Sequence, residues 1–244
     1  MPAAWIRRPP LEPPPMTLFC LPFAGGAAGA FRDWRGALPA GVELCPIHLP
    51  GRESRFSEPA IGDIDALMDP LVEGVAPHAG GPYALFGHSM GGLIAFELAD
   101  RLRRLGRPPA WFFASGARAP HVPQAPPRRH VLSDEELLVE VRNLNGTPPE
   151  LLAEPELMSL MLPTLRSDFQ LVETYRYRPR EPLACPVVAL GGGDDPDVSL
   201  DELTAWREHA AGRFEFHVFA GDHFFIDTCR DELLAMLSER LSGG

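Results

Sequence analysis

Cysteine is scarce in this chain, four in 244 residues, and Cys20, Cys45, Cys185 and Cys229 are scattered with no C-x-x-C pair among them. That argues against a disulfide framework or a structural metal site and reads as reduced cysteines in or near a core. Long apolar runs are also missing. No stretch approaches the roughly 18 residues of a membrane helix. The first fifteen residues have Arg7 and Arg8 but no apolar h-region, and prolines at 9, 10, 13, 14 and 15 break them up. A signal peptide is therefore excluded, and a soluble cytoplasmic protein with a flexible proline-rich leader over residues 1–15 is expected. Positive charge is in deficit as well. Against 33 acidic side chains there are 22 basic ones, a formal charge of -11. Such a balance disfavours nonspecific attraction to nucleic acid or to an anionic membrane. There is no internal repeat.

What the chain does have is an apolar fraction of 45%, enough for one sizeable core. Thr17 to Leu21, Val42 to Leu49, Tyr83 to Phe86, Trp111 to Ala114, Val187 to Leu190 and Phe214 to Phe219 are short apolar runs bounded by glycine, proline or polar residues. They read as buried strands. Between them lie helical patterns. Ile64 to Val75 is one, with Pro70 implying a kink or a start near Asp69. From Met90 a second places Leu93, Phe96, Ala99, Leu102 and Leu105 on one stripe before Gly106. Ser199 to Ala210 is a third, with Ser199 and Glu202 at capping-box spacing. Strands alternating with helices predict an α/β fold, a mostly parallel central sheet flanked by helices in one domain over 16–244. Residues from about 120 to 180 break the rhythm, with no convincing strand but helices starting near Ser133, with Glu136 three residues on, and near Pro163. A helical lid inserted between two sheet strands is expected there, sheet-flanking helices being the plainer alternative. Met158 and Met161 within it read as core filler or as adaptable pocket lining.

Gly87-His88-Ser89-Met90-Gly91 matches G-x-S-x-G. The match gains weight from its setting, after one predicted strand and at the start of an amphipathic helix, where a sharp turn pushes a serine hydroxyl outward. Ser89 is therefore the expected nucleophile of a serine hydrolase with the α/β-hydrolase fold. A serine hydroxyl needs a base. Of eight histidines, His88 should diverge from its neighbour, and His209 and His217 fall inside elements. His48, His78, His121 and His130 precede any acid in the expected order. His223 follows the last strand, where a parallel sheet presents its carboxyl end. The order serine, acid, histidine requires an acid between them, and the loop after Val187 to Leu190 offers Asp194, Asp195 and Asp197. An oxyanion hole should combine the backbone N–H of Met90 with one from Ala24 or Phe23, in the glycine-rich turn after the first strand. That turn lacks both G-x-G-x-x-G and the Gly-Lys-Ser/Thr of a P-loop, so it does not read as a phosphate cradle.

Five segments together resemble one family. Leu21-Pro22-Phe23-Ala24-Gly25-Gly26, Pro50-Gly51-Arg52-Glu53 with Arg55, Gly87 to Gly92, Leu165-Arg166-Ser167-Asp168-Phe169 and Gly221-Asp222-His223-Phe224-Phe225 are similar to the type II, or editing, thioesterases that accompany polyketide and nonribosomal peptide synthetases. The likeness runs from about Thr17 to Phe225. It implies hydrolysis of acyl groups from the phosphopantetheine thiol of acyl or peptidyl carrier proteins, clearing stalled or misprimed chains. It places the acid at Asp195, directly before a proline, and the first oxyanion donor at Ala24. One departure is Asp197, where the family pattern suggests an apolar residue. No cofactor is implied beyond the phosphopantetheine arm of the partner, and a monomer is expected. Docking of an acidic carrier on an acidic enzyme would need a local basic patch, for which Arg52, Arg55, Arg128 and Arg129 are candidates. The competing expectations are a general esterase or lipase acting on free esters and a non-catalytic carrier-docking module.

Overall fold

A computed structural model describes residues 5–7, 14–123, 128–147 and 149–242. Six strands, β1 (Met16–Leu21), β2 (Val42–Pro46), β3 (Tyr83–His88), β4 (Trp111–Ser115), β5 (Val187–Gly192) and β6 (Phe214–Phe219), form one sheet in the order β2-β1-β3-β4-β5-β6. All five pairings are parallel. Parallel strands need crossovers, and α1 (Ile64–Val75), α2 (Met90–Arg104) and α6 (Leu200–Thr204) lie in them, while α7 (Phe225–Thr228) and α8 (Arg230–Leu241) follow the last strand. Because both faces are covered, β1, β3 and β5 are buried at every position. This is why their sequences are continuous apolar runs rather than alternating ones. One apolar cluster joins a sheet face to α1 and α2, and a second joins the other face to α8 and Trp34.

Inserted between β4 and β5 is an all-helical segment, α3 (Asp134–Asn143), α4 (Pro149–Leu152) and α5 (Pro155–Thr174). Ser133 and Glu136 close a capping box on α3, an arrangement worth about 1 kcal/mol. Leu137, Val141, Met158, Leu162, Leu165 and Phe169 pack into a core of the insertion's own. The insertion is thus tied together across its helices. Leu160, by contrast, is exposed.

Several expectations are corrected in detail. Trp5 and Ile6, placed in a flexible leader, are buried: Ile6 bridges Ile47, the Trp5 carbonyl accepts the His48 N–H at 2.8 Å, and the Arg55 guanidinium lies 4.0 Å from the Trp5 ring centroid. Residues 1–4 and 8–13 of that leader lie outside the described residues. The helix expected over Ile64 to Val75 keeps those bounds as α1, and of the two readings that Pro70 left open the later start near Asp69 falls away, because the Asp63 side chain accepts the Ala66 N–H at 2.8 Å and caps the helix there. Pro70 sits inside that helix. Likewise α5 starts at Pro155, where the missing N–H of a first-turn proline costs nothing, and Pro163 lies within it. The predicted stripe on α2 is too narrow. Ile94, Ala95 and Leu98 are buried in the apolar core, and even Glu97 and Asp100 are buried, because residues 175–180 reach them: Arg180 forks onto Glu97 at 2.7 and 2.9 Å, and the Tyr175 hydroxyl donates to Glu97 at 2.7 Å. Leu105 is exposed instead. The run from Ser199 to Ala210 opens with its predicted capping box but changes to a 3-10 turn after Thr204. None of the four cysteines is in a disulfide, and three of them are buried.

Candidate active site

The site stands at the carboxyl end of the sheet, where β1, β3, β4, β5 and β6 each run out into a loop. Ser89 occupies the turn from β3 into α2 with φ 53° and ψ -117°, a left-handed conformation that strains a residue with a side chain by about 1–3 kcal/mol. Two hydrogen bonds hold it there. The Ser89 N–H donates to the Ser115 carbonyl at 2.7 Å, and its carbonyl accepts the Gly92 N–H at 2.9 Å. The flanking glycines are sterically required. A Cβ on Gly91 would lie 2.1 Å from the Leu21 carbonyl oxygen, and one on Gly87 would lie 2.1 Å from the carbonyl oxygen of Gly91. The elbow is therefore pressed against the end of β1, beside the turn at residues 22–26.

On the next strands, β5 ends in the loop that carries Asp195 and β6 in the loop that carries His223. The structure brings these two together: His223 Nδ1 lies 2.7 Å from Asp195 Oδ2. The other carboxylate oxygen accepts the N–H groups of Asp197 at 2.8 Å and Val198 at 3.1 Å. The Asp195 side chain has no solvent exposure, so its orientation is set on both sides. Asp194 is exposed. Asp197 engages Arg129 at 2.9 Å, while its carbonyl accepts from Arg118 at 2.6 Å. The residue that departs from the family pattern thus fastens the acid loop to the start of the insertion. Asp195, Asp197 and His223 bring ligand atoms within 4.8 Å of one another. Their oxygens already face backbone donors and a guanidinium, a setting that disfavours a cation.

Ser89 and His223 line one cavity of about 440 Å³, together with Ala24, Met90, Phe169 and Tyr177. A smaller apolar recess of about 150 Å³ adjoins it beneath the insertion and shares Phe23, Ala24, Leu144, Phe169 and Phe224 with it. Met161 lines this recess, whereas Met158 is buried in the insertion's core. Among the described residues neither Ala24 nor Met90 commits its N–H to a loop or turn hydrogen bond.

His88 diverges from Ser89 as expected. It is fully buried, its Nδ1 lies 2.9 Å from the Ser115 hydroxyl, and its ring centroid is 5.2 Å from that of His223. Burial, reinforced by the neighbouring His223, holds its pKa well below the usual imidazole range. His209 pairs with His121 at 2.8 Å, and burial followed by the charges of His121 and Arg180 lowers its pKa to about 4. Of the four arginines considered for docking, Arg52 and Arg55 are only 8% and 5% exposed and are paired with Asp168 and Glu58. They are not a surface patch. Arg129 is held by Glu140 and Asp197, and Arg128 is exposed. Sequence reasoning missed Arg176, which is exposed and, like Arg128, lines the large cavity. It missed Glu173 too, whose buried carboxylate accepts the N–H groups of Arg129 and His130 and pairs with the His130 ring. Only folding brings these residues to the site.

Comparison with known proteins agrees with this geometry. The thioesterase domain family matches residues 16–241. The chain is 42% identical to the protein named linear gramicidin dehydrogenase LgrE of Brevibacillus parabrevis, over 98% of this chain and 93% of that one. It is 40% identical to the gramicidin S biosynthesis protein GrsT of Aneurinibacillus migulanus, over 93% and 89%. The first of those names is that of a dehydrogenase, but this chain has the serine elbow after β3 and a short Phe-Ala-Gly-Gly turn after β1, with no G-x-G-x-x-G in that turn. Among solved structures, the type II thioesterase BorB from the borrelidin biosynthetic cluster superposes with a TM-score of 0.90 at 40% identity, covering 97% of each chain. With the parallel sheet, the strained serine elbow and the helical insertion in place, the chain belongs to the thioesterase family as an α/β-hydrolase of its type II branch, an enzyme of thioester hydrolysis.

Proposed function

We propose that the enzyme hydrolyses acyl groups from the phosphopantetheine thiol of acyl or peptidyl carrier proteins, through an acyl-enzyme on Ser89, and so clears stalled or misprimed chains from a polyketide or nonribosomal peptide synthase. The observation that carries this reading is the Asp195–His223 bond at 2.7 Å, made beside a cavity that His223 shares with the strained Ser89. Asp195 receives the Nδ1–H of His223, which leaves Nε2 free to act as base. Ser89 Oγ attacks the thioester carbonyl while its proton passes to Nε2, and the developing oxyanion is met by the N–H groups of Ala24 and Met90. Collapse breaks the carbon–sulfur bond, and the leaving thiolate takes the proton from His223. Water then attacks the acyl-enzyme with His223 again as base, releasing the acid and returning a proton to Ser89. Asp195 stabilises the imidazolium at each proton transfer. This chemistry needs no cofactor of the enzyme's own.

Two features support a carrier-borne substrate. The cavity mouth carries exposed Arg128 and Arg176 on a protein of net charge -11, a local positive site suited to the phosphate of a phosphopantetheine arm. No helix among the described residues is long and apolar enough to cross a membrane, which accords with action beside a cytoplasmic synthase. We take the working unit to be a monomer. The test compares turnover of an acyl-carrier protein with turnover of the same acyl group as a simple oxoester, using wild type and Ser89→Ala. A fluorophosphonate should label wild type once, at Ser89, and kcat/KM should favour the carrier substrate. Activity surviving in the alanine variant would remove the serine mechanism, and preference for the free ester would make the protein a general esterase.

A further inference from the structure

One carboxylate of the helical insertion reaches down to the loop beside the serine. Asp168 on α5 is 2% exposed, and its Oδ2 accepts the Gly25 N–H at 2.7 Å. The same carboxylate receives the fork of Arg52, with Nη2 at 2.7 Å from Oδ1 and Nη1 at 2.8 Å from Oδ2. Arg52 Nη1 also donates to the Gly26 carbonyl at 2.9 Å, and its Nε donates to the Pro50 carbonyl at 3.2 Å. Thr164, Leu165 and Asp168 fall within one turn of α5, so they share a face. All three grip the same pair of loops. The Thr164 hydroxyl donates to the Gly51 carbonyl at 2.9 Å, and Leu165 packs so closely on Gly25, at φ 75°, that a Cβ there would lie 2.5 Å from Leu165 Cδ2.

The gripped turn is the one that holds Ala24. The Phe23 carbonyl accepts the Gly26 N–H at 2.9 Å. In a trans peptide the C=O and N–H point opposite ways, so this bond fixes the plane of the Phe23–Ala24 peptide and with it the direction of the Ala24 N–H. Two further polar groups of the turn, the Gly25 N–H and the Gly26 carbonyl, are anchored on Asp168 and Arg52. A salt bridge this deeply buried is a poor source of net stability, and its bidentate geometry is well suited to fixing position. We propose that Arg52 and Asp168 are positioning residues for the oxyanion hole: they aim the Ala24 N–H, and because Asp168 belongs to α5 the hole is aligned only while the lid helix is seated. This inference rests on the serine mechanism proposed above.

The test uses the full chain with Asp168→Asn, Arg52→Ala and the double variant Arg52→Met/Asp168→Leu, which leaves no unpaired buried charge and so keeps the fold testable. Each is assayed for kcat and KM on an acyl-carrier protein and on a small acyl thioester. Binding of an acyl trifluoromethyl ketone, which adds to the serine as an oxyanion, is compared with binding of the unreactive amide analogue. A displaced donor costs about 10- to 100-fold. The expectation is a kcat loss of that size on both substrates, KM within about threefold, and trifluoromethyl ketone affinity falling by the same factor while amide binding holds. The folded double variant should show this loss too, since the Gly25 N–H and Gly26 carbonyl still lack their partners. A double variant with wild-type kcat and ketone affinity would overturn the proposal, as would losses confined to KM or to thermal stability. Ser89→Ala is the separate control: activity surviving there refutes the serine mechanism, whereas an inactive Ser89→Ala beside a fully active Asp168→Asn refutes only the positioning role.

Discussion

Replacing Asp195 by asparagine separates the acid's role in orienting His223 from its role in building the loop, and the hydrogen bonds dictate which way the new amide must face. Oδ1 accepts two backbone N–H groups, from Asp197 and Val198, while Oδ2 faces His223 Nδ1. If the asparagine oxygen keeps the backbone bonds, its NH2 group meets Nδ1 and forces that nitrogen to accept, moving the ring proton to Nε2, the wrong side for a base. If the amide flips, the ring keeps its tautomer but the NH2 group confronts two backbone donors. Two lost bonds with buried donors left over cost about 2–4 kcal/mol, a bias of about 30- to 1,000-fold toward the wrong tautomer. Asp195→Asn should therefore fold with an unchanged urea slope and lose no more than about 1 kcal/mol of stability, yet drop kcat by about 10³–10⁴-fold. Asp195→Ala strips the loop of its acceptor and should lose about 1–3 kcal/mol of stability per orphaned N–H as well. Asp194→Asn, at an exposed position, should be close to wild type. Steady-state turnover and urea titration of the three variants decide it. The reasoning fails if Asp195→Asn keeps more than a tenth of wild-type kcat, or if Asp194→Asn is the more damaging change.

Acid should destabilise the fold partly through His209, whose folded pKa of about 4 lies below an unfolded value near 6.5. Its contribution is complete above about pH 6.5 and is lost as the unfolded chain takes up the proton on the way down to pH 4, which amounts to about 2 kcal/mol by pH 5. Urea unfolding at pH 7 and pH 5 should show that loss in wild type and a clearly smaller one in His209→Gln; equal losses would refute the assignment. At the cavity mouth, Arg128→Glu/Arg176→Glu should raise KM for an acyl-carrier protein at least severalfold and leave kcat on a small acyl thioester unchanged. A KM for the carrier protein equal to that of wild type would remove the arginines from docking.

The inner strands β1, β3 and β5 were legible because a parallel strand covered on both faces is an uninterrupted apolar run, and Leu18 to Leu21, Ala84 to Phe86 and Val187 to Leu190 are such runs. Element ends were harder. At α1 the decisive group is a single carboxylate, Asp63, capping seven residues before the proline that drew attention. In α5 the start is Pro155, a residue equally at home in a loop. Burial of Glu97 and Asp100 was illegible in principle, because charged residues are covered only when a distant partner arrives, here Arg180 from the far side of the insertion. The same holds for Trp5, which reads as leader until Arg55 lies over its ring.

At the site, the serine and the histidine were legible because each sits at a fixed offset from a strand end, a local signal. The choice among Asp194, Asp195 and Asp197 was not local, since all three share one short loop and only their bond partners tell them apart: solvent, His223 and Arg129 respectively. Arg52 shows the same limit from the opposite side. As a basic residue in a turn it looks like surface, and a charge count assigns it to docking. Its burial follows from Asp168, 116 residues away, and the pair can exist only if α5 lies across the turn that holds Ala24. The insertion is therefore bound to both loops: Asp168 holds the turn that carries Ala24, and Arg129 holds, through Asp197, the loop that carries Asp195. Displacing the insertion from the sheet would break both attachments together, so on the mechanism proposed above the position of the insertion is linked to the alignment of Ala24 and Asp195 through two ion pairs.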